Sequence, residues 1–277
     1  METVGNIIPA FRKELSSIFE EREVVSWAYL SVEHLLGYSR SDYIVHANKS
    51  IDVKISDKFK QIIIDLKTKK PLQYILGETE FYGFKLKVNK DTLIPRPETE
   101  EIVDWVLKEN FKSALDIGTG SGCIAIALAK YSNANISAID ISRDALKIAK
   151  ENAILNNVKV VFTQQDIFQI KTLTKVDLIV SNPPYILNFE KANMQANILE
   201  YEPHLALFVA NEDPFAFYKK IADLATKSFR GKGRLFFEIN EQFANELIAI
   251  LTQRGFVDIE LKKDINDRDR MIKAIWK

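Results

Sequence analysis

The residues with the clearest chemical signature are the tetrapeptide Asn182-Pro183-Pro184-Tyr185, which follows the apolar run Asp177–Ser181. Two successive prolines fix two φ angles and remove two backbone N–H donors. The groups left to face a ligand are acceptors, the Asn182 side-chain oxygen and the Pro183 carbonyl, beside the flat ring of Tyr185. Such a set suits a substrate NH₂ group, because two acceptors can hold its hydrogens and aim the nitrogen lone pair at a methyl donor.

A glycine-rich loop follows an earlier apolar run and precedes a predicted helix; it consists of Gly118, Thr119, Gly120, Ser121 and Gly122. Glycines permit positive φ and let a ligand approach the backbone, and a helix N-terminus offers free N–H groups. Asp140 ends the next predicted strand, 22 residues after Gly118. A carboxylate there can accept hydrogen bonds from ribose hydroxyls. The loop and Asp140 together predict a site for a nucleoside-containing cofactor.

The residues around the loop bear on which cofactor it binds. Dinucleotide sites carry a third glycine where this chain has Cys123, and Asp116 would place negative charge beside a pyrophosphate. The same carboxylate suits the sulfonium and α-amino groups of S-adenosylmethionine. The pattern therefore favours S-adenosylmethionine; NAD and a tight structural turn that binds no ligand are the alternatives. Cys123 is interpreted as a small core residue.

The elements that must position these motifs fall into three predicted parts. Residues 1–76 carry apolar side chains at three- and four-residue steps and little glycine, which predicts a small helical domain. Ser31 is predicted to be the N-cap of a helix there. The stretch Phe81–Ile94 alternates apolar and polar side chains, and residues 77–96 are predicted to be a linking β-hairpin that turns at residues 89–91.

Residues 97–277 form the third part, in which short apolar runs alternate with helical segments. This alternation predicts right-handed βαβ units and a mostly parallel sheet. The predicted strands are residues 114–117, 136–139, 158–162, 177–180 and 234–239, and the predicted helices are residues 124–131, 143–155 and 214–228. Two last runs, residues 256–261 and 271–276, have no helix between them and predict an antiparallel hairpin. Ligands bind outside the carboxyl ends of such strands, so both motifs are expected on one rim of the sheet.

The composition of the chain argues against several classes of protein, namely nucleic-acid-binding, membrane-spanning, secreted and zinc-binding proteins. Lys+Arg and Asp+Glu are both 38, so no global positive field attracts nucleic acid. The longest hydrophobic run, Cys123–Ala129, is far shorter than the roughly 20 residues of a membrane span, and no secretory signal is evident at the N-terminus. A single cysteine excludes an internal disulfide and indicates the cytoplasm. Three scattered histidines offer no zinc-ligand spacing, so no metal is expected.

The motifs resemble the class I S-adenosylmethionine-dependent methyltransferases. More closely, they resemble the HemK/PrmC family, the glutamine methyltransferases of peptide chain release factors. The resemblance covers nearly the whole chain and is carried by Pro71–Gly77, Glu80–Gly83, Leu93–Glu100, Asp116–Gly122, Asp140, Asn182–Tyr185, Glu202-Pro203, Ala206-Leu207, Glu238–Asn240 and Asp267–Arg270.

The resemblance implies an α/β fold, a Rossmann-like class I methyltransferase sheet preceded by a small all-helical domain and a linking β-hairpin. It implies methyl transfer from S-adenosylmethionine to the side-chain amide nitrogen of the glutamine in the Gly-Gly-Gln loop of class 1 release factors, a modification of the translation termination machinery. Gly118–Gly122 and Asp140 would hold the cofactor, and Asn182–Tyr185 the glutamine. The helical domain and hairpin would grip the release factor.

The resemblance also bears on three further parts of the chain. Ile167 occupies the slot beside the adenine where the family commonly carries an aromatic residue, and Phe168 follows it. Arg96 and Glu98 would lie near the mouth of the site, or would form a structural salt bridge at the domain junction. The loop at residues 209–214 lacks the family's usual glycines, so its shape is expected to differ.

Two other functions remain open from the residues alone. An exocyclic-amine methyltransferase acting on DNA adenine or rRNA guanine uses the same acceptors on a flipped base, but zero net charge and the absence of a basic recognition insertion weigh against it. A cofactor-binding adaptor without catalysis would not need Asn182 and Tyr185. The expected protein is a cytoplasmic monomer that acts on a release factor, without direct contact to nucleic acid or membrane.

Overall fold

Apolar residues at helical spacing in the N-terminal region form a set of packed helices. In the computed structural model, which describes residues 1–277 apart from the side chain of Asn193, they are α1 (Ile7–Leu15), α2 (Glu21–Leu36), α3 (Arg40–Val45), α4 (Val53–Lys67) and α5 (Leu72–Leu76). A short 3₁₀ turn, Val4–Asn6, precedes α1. Phe11, Phe59 and Leu66 are fully buried among these helices. Burial of each such side chain contributes about 1.5–3 kcal/mol.

Ser31 lies inside α2, so the prediction that it caps a helix start is wrong. Its hydroxyl donates to the carbonyl oxygen of Trp27, four residues earlier, at 2.7 Å. That bond satisfies a buried serine in mid-helix. The helix begins instead at Glu21, where acidic side chains suit the positive N-terminal end, and Gly37 ends it with a φ of 68°.

The linking hairpin consists of β1 (Glu78–Phe81) and β2 (Phe84–Lys87), which pair antiparallel. It turns at Tyr82 and Gly83, whose φ values are 49° and 76°, and not at residues 89–91 as predicted. A two-residue turn with positive φ at both positions matches the twist of the flanking strands. Residues 89–91 form a separate turn after β2, in which the Asp91 N–H donates to Asn89 Oδ1 at 2.9 Å.

The rest of the chain alternates strands and helices. The strands are β3 (Ser113–Ile117), β4 (Asn135–Asp140), β5 (Val160–Gln164), β6 (Val176–Ser181), β7 (Ile186–Leu187), β8 (Phe208–Val209), β9 (Phe229–Glu238), β10 (Val257–Lys263) and β11 (Asp269–Trp276). The helices are α6 (Pro97–Leu107), α7 (Cys123–Tyr131), α8 (Arg143–Leu155), α9 (Ala196–Tyr201), α10 (His204–Leu207), α11 (Ala216–Ser228) and α12 (Ala244–Gln253). Two 3₁₀ turns, Asn188–Asn193 and Glu241–Phe243, lie between them.

Seven of these strands form one sheet in the order β10-β11-β9-β6-β3-β4-β5. The pairs β3–β4, β4–β5, β3–β6 and β6–β9 are parallel. The pairs β9–β11 and β10–β11 are antiparallel, which confirms a mostly parallel sheet closed by a hairpin. The chain runs from β3 to β4 and β5 on one side and then to β6 and β9 on the other. This reversal beside β3 is the point where α/β sheets bind ligands.

Both faces of the sheet are buried. Leu115 and Ile117 of β3 pack in one cluster with residues of α11 and α12, whereas Ala114 packs in the other cluster with α6, α7 and the hairpin. Successive side chains of a strand point to opposite faces, so a strand covered on both sides is apolar throughout. That coverage leaves only the ends of the strands open to a ligand.

The chain divides into two units of close packing. The helical unit contains Met1–Gly77 and Ala196–Tyr201, and the sheet unit contains Glu78–Gln195 and Glu202–Lys277. The predicted boundaries group α9 with the sheet, but α9 belongs to the helical unit, where the Tyr201 hydroxyl donates to the Thr68 carbonyl oxygen at 2.8 Å. Within the described residues, none of the helices combines the length and the apolar character needed to cross a membrane.

Candidate active site

The carboxyl ends of the parallel strands meet at one edge of the sheet, because pairing aligns Ile117 of β3 with Ser181 of β6, and Ser181 with Phe237 of β9. A cavity of about 330 Å³ opens there, a volume typical of small-molecule sites. Its lining includes Gly118, Thr119, Gly120, Ser121, Asp140, Ile167, Asn182, Pro183 and Pro184. Both sequence motifs therefore border one cavity within the sheet unit.

The glycine loop presents its backbone to this cavity. Gly118 and Gly120 have φ values of 75° and 55°, and a Cβ on either would meet no atom within 4 Å. A ligand can therefore approach the bare backbone at both positions. Gly122 differs, because a Cβ there would lie 3.1 Å from the Cβ of Ala149. Gly122 allows α7 to pack closely on α8 and does not line the cavity.

Asp140 joins the loop to the end of β4. Its Oδ2 accepts a hydrogen bond from the Gly120 N–H at 2.8 Å, and its Oδ1 accepts one from the Ser142 N–H at 2.9 Å. Burial raises the pKa of the carboxyl, while these backbone donors oppose the rise. Each carboxylate oxygen can accept a further hydrogen bond. Asp140 can thus receive ligand hydroxyls while it holds the loop.

Asp116 lies beneath the loop with no solvent exposure. Its Oδ2 accepts a hydrogen bond from the Thr119 hydroxyl at 2.6 Å, but Oδ1 has no partner among the described residues. Burial raises the pKa of this carboxyl to about 7. A buried carboxylate oxygen without a donor favours a cationic ligand group nearby.

One end of the cavity is apolar. Ile141, Ile167 and Phe168 line it, and Ile167 is the most buried of the three at 8% exposure. Phe168 is half exposed and packs edge-on against Phe217, with 5.1 Å between ring centroids. The slot assigned to Ile167 is therefore bordered by Phe168 as well. This end suits a flat heterocycle held by apolar contacts.

Asn182 and the two prolines form the opposite, polar end. The Asn182 Nδ2 donates to the Thr99 hydroxyl oxygen at 3.3 Å. Its Oδ1 has no partner among the described residues. Both side chains line the cavity, Thr99 from the first turn of α6 and Asn182 from the end of β6. The Asn182 amide thus has a free acceptor, the group that its predicted role requires.

Tyr185 does not line the cavity. Its hydroxyl donates to Glu238 Oε1 at 3.2 Å, and its ring packs against the sheet core. Burial is the main cause of the raised pKa of this phenol. The prediction that the ring stacks on a substrate stays a prediction, while the observed contact ties Tyr185 to the end of β9.

Arg96 lines the cavity mouth and forms a salt bridge with Glu202, whose side chain is 1% exposed. Glu202 Oε2 also accepts a hydrogen bond from the Ile94 N–H at 3.4 Å. The bridge fastens the segment before α6 to the segment after α9. Glu98 lies outside the lining, with its Oε1 3.5 Å from the Asn266 Nδ2. Of the two residues, only Arg96 borders the cavity.

Several lining or supporting residues were not among the predicted site residues; they are Thr99, Ile141, Ser142, Glu202 and Glu238. The strand-end rule could have found two of them, because Ser142 follows β4 and Glu238 ends β9. Thr99 lies in the segment Leu93–Glu100 that resembles the family, but that resemblance gave it no role in the site. Its part in the site depends on where the first turn of α6 lies in space.

The donor set fits S-adenosylmethionine. Asp140 matches ribose hydroxyls and the apolar end suits adenine, while Asp116, buried beneath the loop and outside the lining, contributes negative charge behind Thr119. The bare backbone at Gly118 and Gly120 lets the ligand lie close to the loop. A pyrophosphate at the loop would meet the Asp140 carboxylate, with the negative charge of Asp116 buried behind the loop, so a dinucleotide fits less well.

Comparisons with known proteins agree with this assignment. A family model described as methyltransferase small domain matches residues 99–204, and one described as PrmC N-terminal domain matches residues 10–77. The chain is 46% identical to the release factor glutamine methyltransferase of Flavobacterium psychrophilum, over 98% of each chain. It is 40% identical to the protein of the same name from Bacteroides thetaiotaomicron, over 98% of this chain and 99% of that protein.

A solved structure shares the fold. The crystal structure of a methyltransferase from Pyrococcus furiosus aligns with a TM-score of 0.55 at 18% identity, covering 79% of this chain and 98% of that chain. The similarity confirms the predicted α/β fold.

Proposed function

This chain belongs to the family of release factor glutamine methyltransferases, and we propose that its methyl transfer takes place in the cavity at the strand ends, on a glutamine held by Asn182 and Pro183. The activity is S-adenosylmethionine-dependent methylation of a release factor glutamine. The finer assignment, the side-chain amide nitrogen of the Gly-Gly-Gln glutamine in class 1 release factors, is part of the proposal.

The cofactor half of the proposal assigns the glycine loop and the two carboxylates. S-adenosylmethionine supplies an electrophilic methyl group on its sulfonium. Gly118–Ser121 provide the bare backbone, Asp140 the ribose acceptor, and Asp116 a negative group near the cationic end. Ile167, with Phe168 beside it, covers the adenine. All but Asp116 line the cavity.

The substrate half assigns the acceptors. An amide nitrogen is a poor nucleophile because its lone pair is delocalised into the carbonyl. Asn182 Oδ1 and the Pro183 carbonyl oxygen accept hydrogen bonds from the two N–H groups, which helps the nitrogen pyramidalise as positive charge develops. They also hold it in line with the methyl group. One N–H proton is lost to solvent after transfer, so the site needs no ionised base.

The observation that carries this proposal is the free Oδ1 of Asn182 in the same cavity as the glycine loop. The Asn182 Nδ2 is engaged by Thr99 at 3.3 Å, so the acceptor end of the amide is left for a ligand. The test is mass spectrometry of a purified release factor after incubation with this protein and labelled S-adenosylmethionine. One methyl group on the glutamine of the Gly-Gly-Gln loop is expected, and unlabelled glutamine would contradict the assignment.

The same incubation with DNA and rRNA tests the alternative substrates. The names of the relatives do not favour that alternative, and zero net charge gives no general attraction to polyanions. Label in the release factor alone is expected. We propose in addition a cytoplasmic protein, since release factors act at the ribosome, and a monomer, which light scattering tests directly.

The helical unit is proposed to bind the release factor outside the reacting loop. Ile44 and Val45 at the end of α3 are 69% and 77% exposed, and Val53 at the start of α4 is 73% exposed. Adjacent exposed apolar side chains such as Ile44 and Val45 are a feature of protein-binding surfaces, whereas a single exposed one is common anywhere. This surface would increase affinity for a whole release factor without touching the glutamine.

A further inference from the structure

Glu238, at the end of β9, is a buried carboxylate without an ion-pair partner among the described residues. Its exposure is 2%. Its two oxygens serve different neighbours: Oε2 accepts a hydrogen bond from the Thr99 hydroxyl at 2.7 Å, and Oε1 accepts one from the Tyr185 hydroxyl at 3.2 Å. Removing a carboxylate from water is costly, and these two hydrogen bonds offset part of that cost. A carboxylate buried at this position therefore calls for a role beyond packing.

The bond to Thr99 determines what Thr99 can offer to Asn182. A hydroxyl has one hydrogen to donate and two lone pairs that accept. Glu238 takes the hydrogen, so the Thr99 oxygen faces Asn182 only as an acceptor. The Asn182 amide must then turn its NH₂ group toward Thr99, as the 3.3 Å contact from Nδ2 to Oγ1 records. The Asn182 Oδ1 is consequently directed away from Thr99.

Without Glu238, the Thr99 hydroxyl could donate to Asn182 Oδ1 and hold the amide in the opposite orientation. That orientation would present two N–H donors to the N–H donors of the substrate amide, and the two groups would repel. Asparagine has no preference of its own between the two orientations, because its oxygen and NH₂ group are nearly the same in shape.

We propose that Glu238 is a positioning residue for methyl transfer: by taking the Thr99 proton, it selects the orientation of the Asn182 carboxamide that presents Oδ1 to the substrate. The same carboxylate accepts a hydrogen bond from the Tyr185 hydroxyl, so the segment Asn182–Tyr185 is linked to it directly at Tyr185 and through Thr99 at Asn182. This inference rests on the proposed role of Asn182.

The central test compares Thr99→Val with Thr99→Ser. Valine keeps the shape of threonine but removes the hydroxyl, so nothing selects the amide orientation. We expect kcat of Thr99→Val to fall at least about tenfold, while KM for the release factor and the cofactor Kd stay within about threefold. Thr99→Ser keeps the hydroxyl and should restore kcat to within about threefold of wild type. Thr252→Val removes an exposed threonine hydroxyl on α12 and serves as the matched control.

A double-mutant cycle then tests the link to Glu238. Glu238→Gln replaces one acceptor oxygen by an NH₂ donor and should lower kcat as well. If both residues act through one hydrogen-bond chain, adding Glu238→Gln to Thr99→Val should change kcat by less than about threefold. If the double variant instead loses the product of the two single losses in kcat, the proposed hydrogen-bond link between Glu238 and Thr99 is overturned. Circular dichroism and thermal unfolding establish whether each variant is folded. If Glu238→Gln does not fold, the comparison of Thr99→Val with Thr99→Ser tests the proposal by itself.

The outcomes separate this inference from the proposed function. If Asn182→Ala keeps its activity, the proposed role of Asn182 is wrong. If Asn182→Ala is inactive but Thr99→Val has a normal kcat, only the positioning role of Glu238 is overturned. A loss in Thr99→Val that Thr99→Ser fails to restore would indicate disrupted packing and would also overturn it.

Discussion

The backbone N–H of Gly120 donates to Oδ2 of Asp140 at 2.8 Å, so the glycine loop after β3 is fastened to the carboxylate that ends β4. The sequence pairs the two features as one predicted cofactor site, and the hydrogen bond shows that they are also joined directly. Asp140 therefore shapes the loop, in addition to its proposed role as an acceptor for the ribose hydroxyls.

Asp140→Ala should lower cofactor affinity by about 10–100-fold, because hydrogen bonds to a charged group contribute about 1.5–3 kcal/mol. Isothermal titration with S-adenosylmethionine measures the change. Asp144→Ala, an exposed aspartate in the first turn of α8, is the matched control and should bind as wild type does. Unchanged affinity in Asp140→Ala would remove Asp140 from the ribose site.

Gly120→Ala tests the bare backbone. The φ of 55° costs an alanine about 1–2 kcal/mol, and its methyl group would project into the open cavity. Gly37→Ala is a matched control, since Gly37 has a φ of 68°, no atom within 4 Å of a Cβ, and a place at the end of α2. Both variants should lose similar thermal stability, but only Gly120→Ala should bind the cofactor more weakly by titration.

Asp116 makes a testable contribution to the pH dependence of stability. Its carboxyl has a pKa of about 7 in the folded protein, above the ordinary value of 3.8. Between these values the unfolded chain releases the proton first, so the free energy of unfolding falls as pH rises, and the effect is complete above about pH 7. Asp116→Asn lacks this contribution.

The melting temperature of Asp116→Asn minus that of wild type should therefore increase from about pH 4 to about pH 7 and then stay constant. Thermal unfolding across this range, without cofactor, measures it. A difference that is the same at every pH would mean that the carboxyl titrates normally in the folded state.

Asn182→Ala should reduce methyl transfer at least about 100-fold, the loss typical when a group that stabilises developing charge is removed. Cofactor affinity should stay within about tenfold, because the glycine loop and Asp140 are untouched. Transfer of labelled methyl to a release factor and cofactor titration give the two values. Asn133→Ala, an exposed asparagine before β4, is the control. Near-normal turnover by Asn182→Ala would refute its role.

Ile44→Asp combined with Val45→Asp tests the helical unit as a binding surface. We expect KM for a whole release factor to rise about tenfold or more, since charges would replace two exposed apolar contacts. Activity on a short glutamine-containing peptide should not change. The control is Ile154→Asp on α8, because the Ile154 side chain is 77% exposed, as that of Val45 is. Equal losses on both substrates would contradict the idea.

Substitution is preferable here to deletion of the helical region. Tyr201 of α9 donates to the Thr68 carbonyl oxygen, so removing residues 1–70 would also strip α9 of its partner. A deletion would then mix a loss of binding with a loss of folding.

The sequence by itself predicted the motifs whose chemistry depends on residue type and local spacing. Glycine spacing, the acid at the end of the next strand and the Asn-Pro-Pro-Tyr segment each depend on neighbours a few positions away, and so does the alternation of strands and helices. Prediction from neighbouring residues failed where two segments could each form the same turn. The hairpin turned at Tyr82-Gly83 instead of residues 89–91, because both segments carry turn-forming residues and only strand pairing chooses between them.

Tertiary structure decided which distant side chains meet. Thr99 and Glu238 are 139 positions apart, and Asn182 and Thr99 are 83 apart, yet one chain of hydrogen bonds joins them. Such contacts follow from the order of strands in the sheet and from the first turn of α6, which reaches the cavity at the strand ends. No residue type encodes that order by itself. The sequence alone determined which groups could do the chemistry, and the packing of the sheet decided how each one is aimed, since a hydrogen bond requires both partners within about 3 Å.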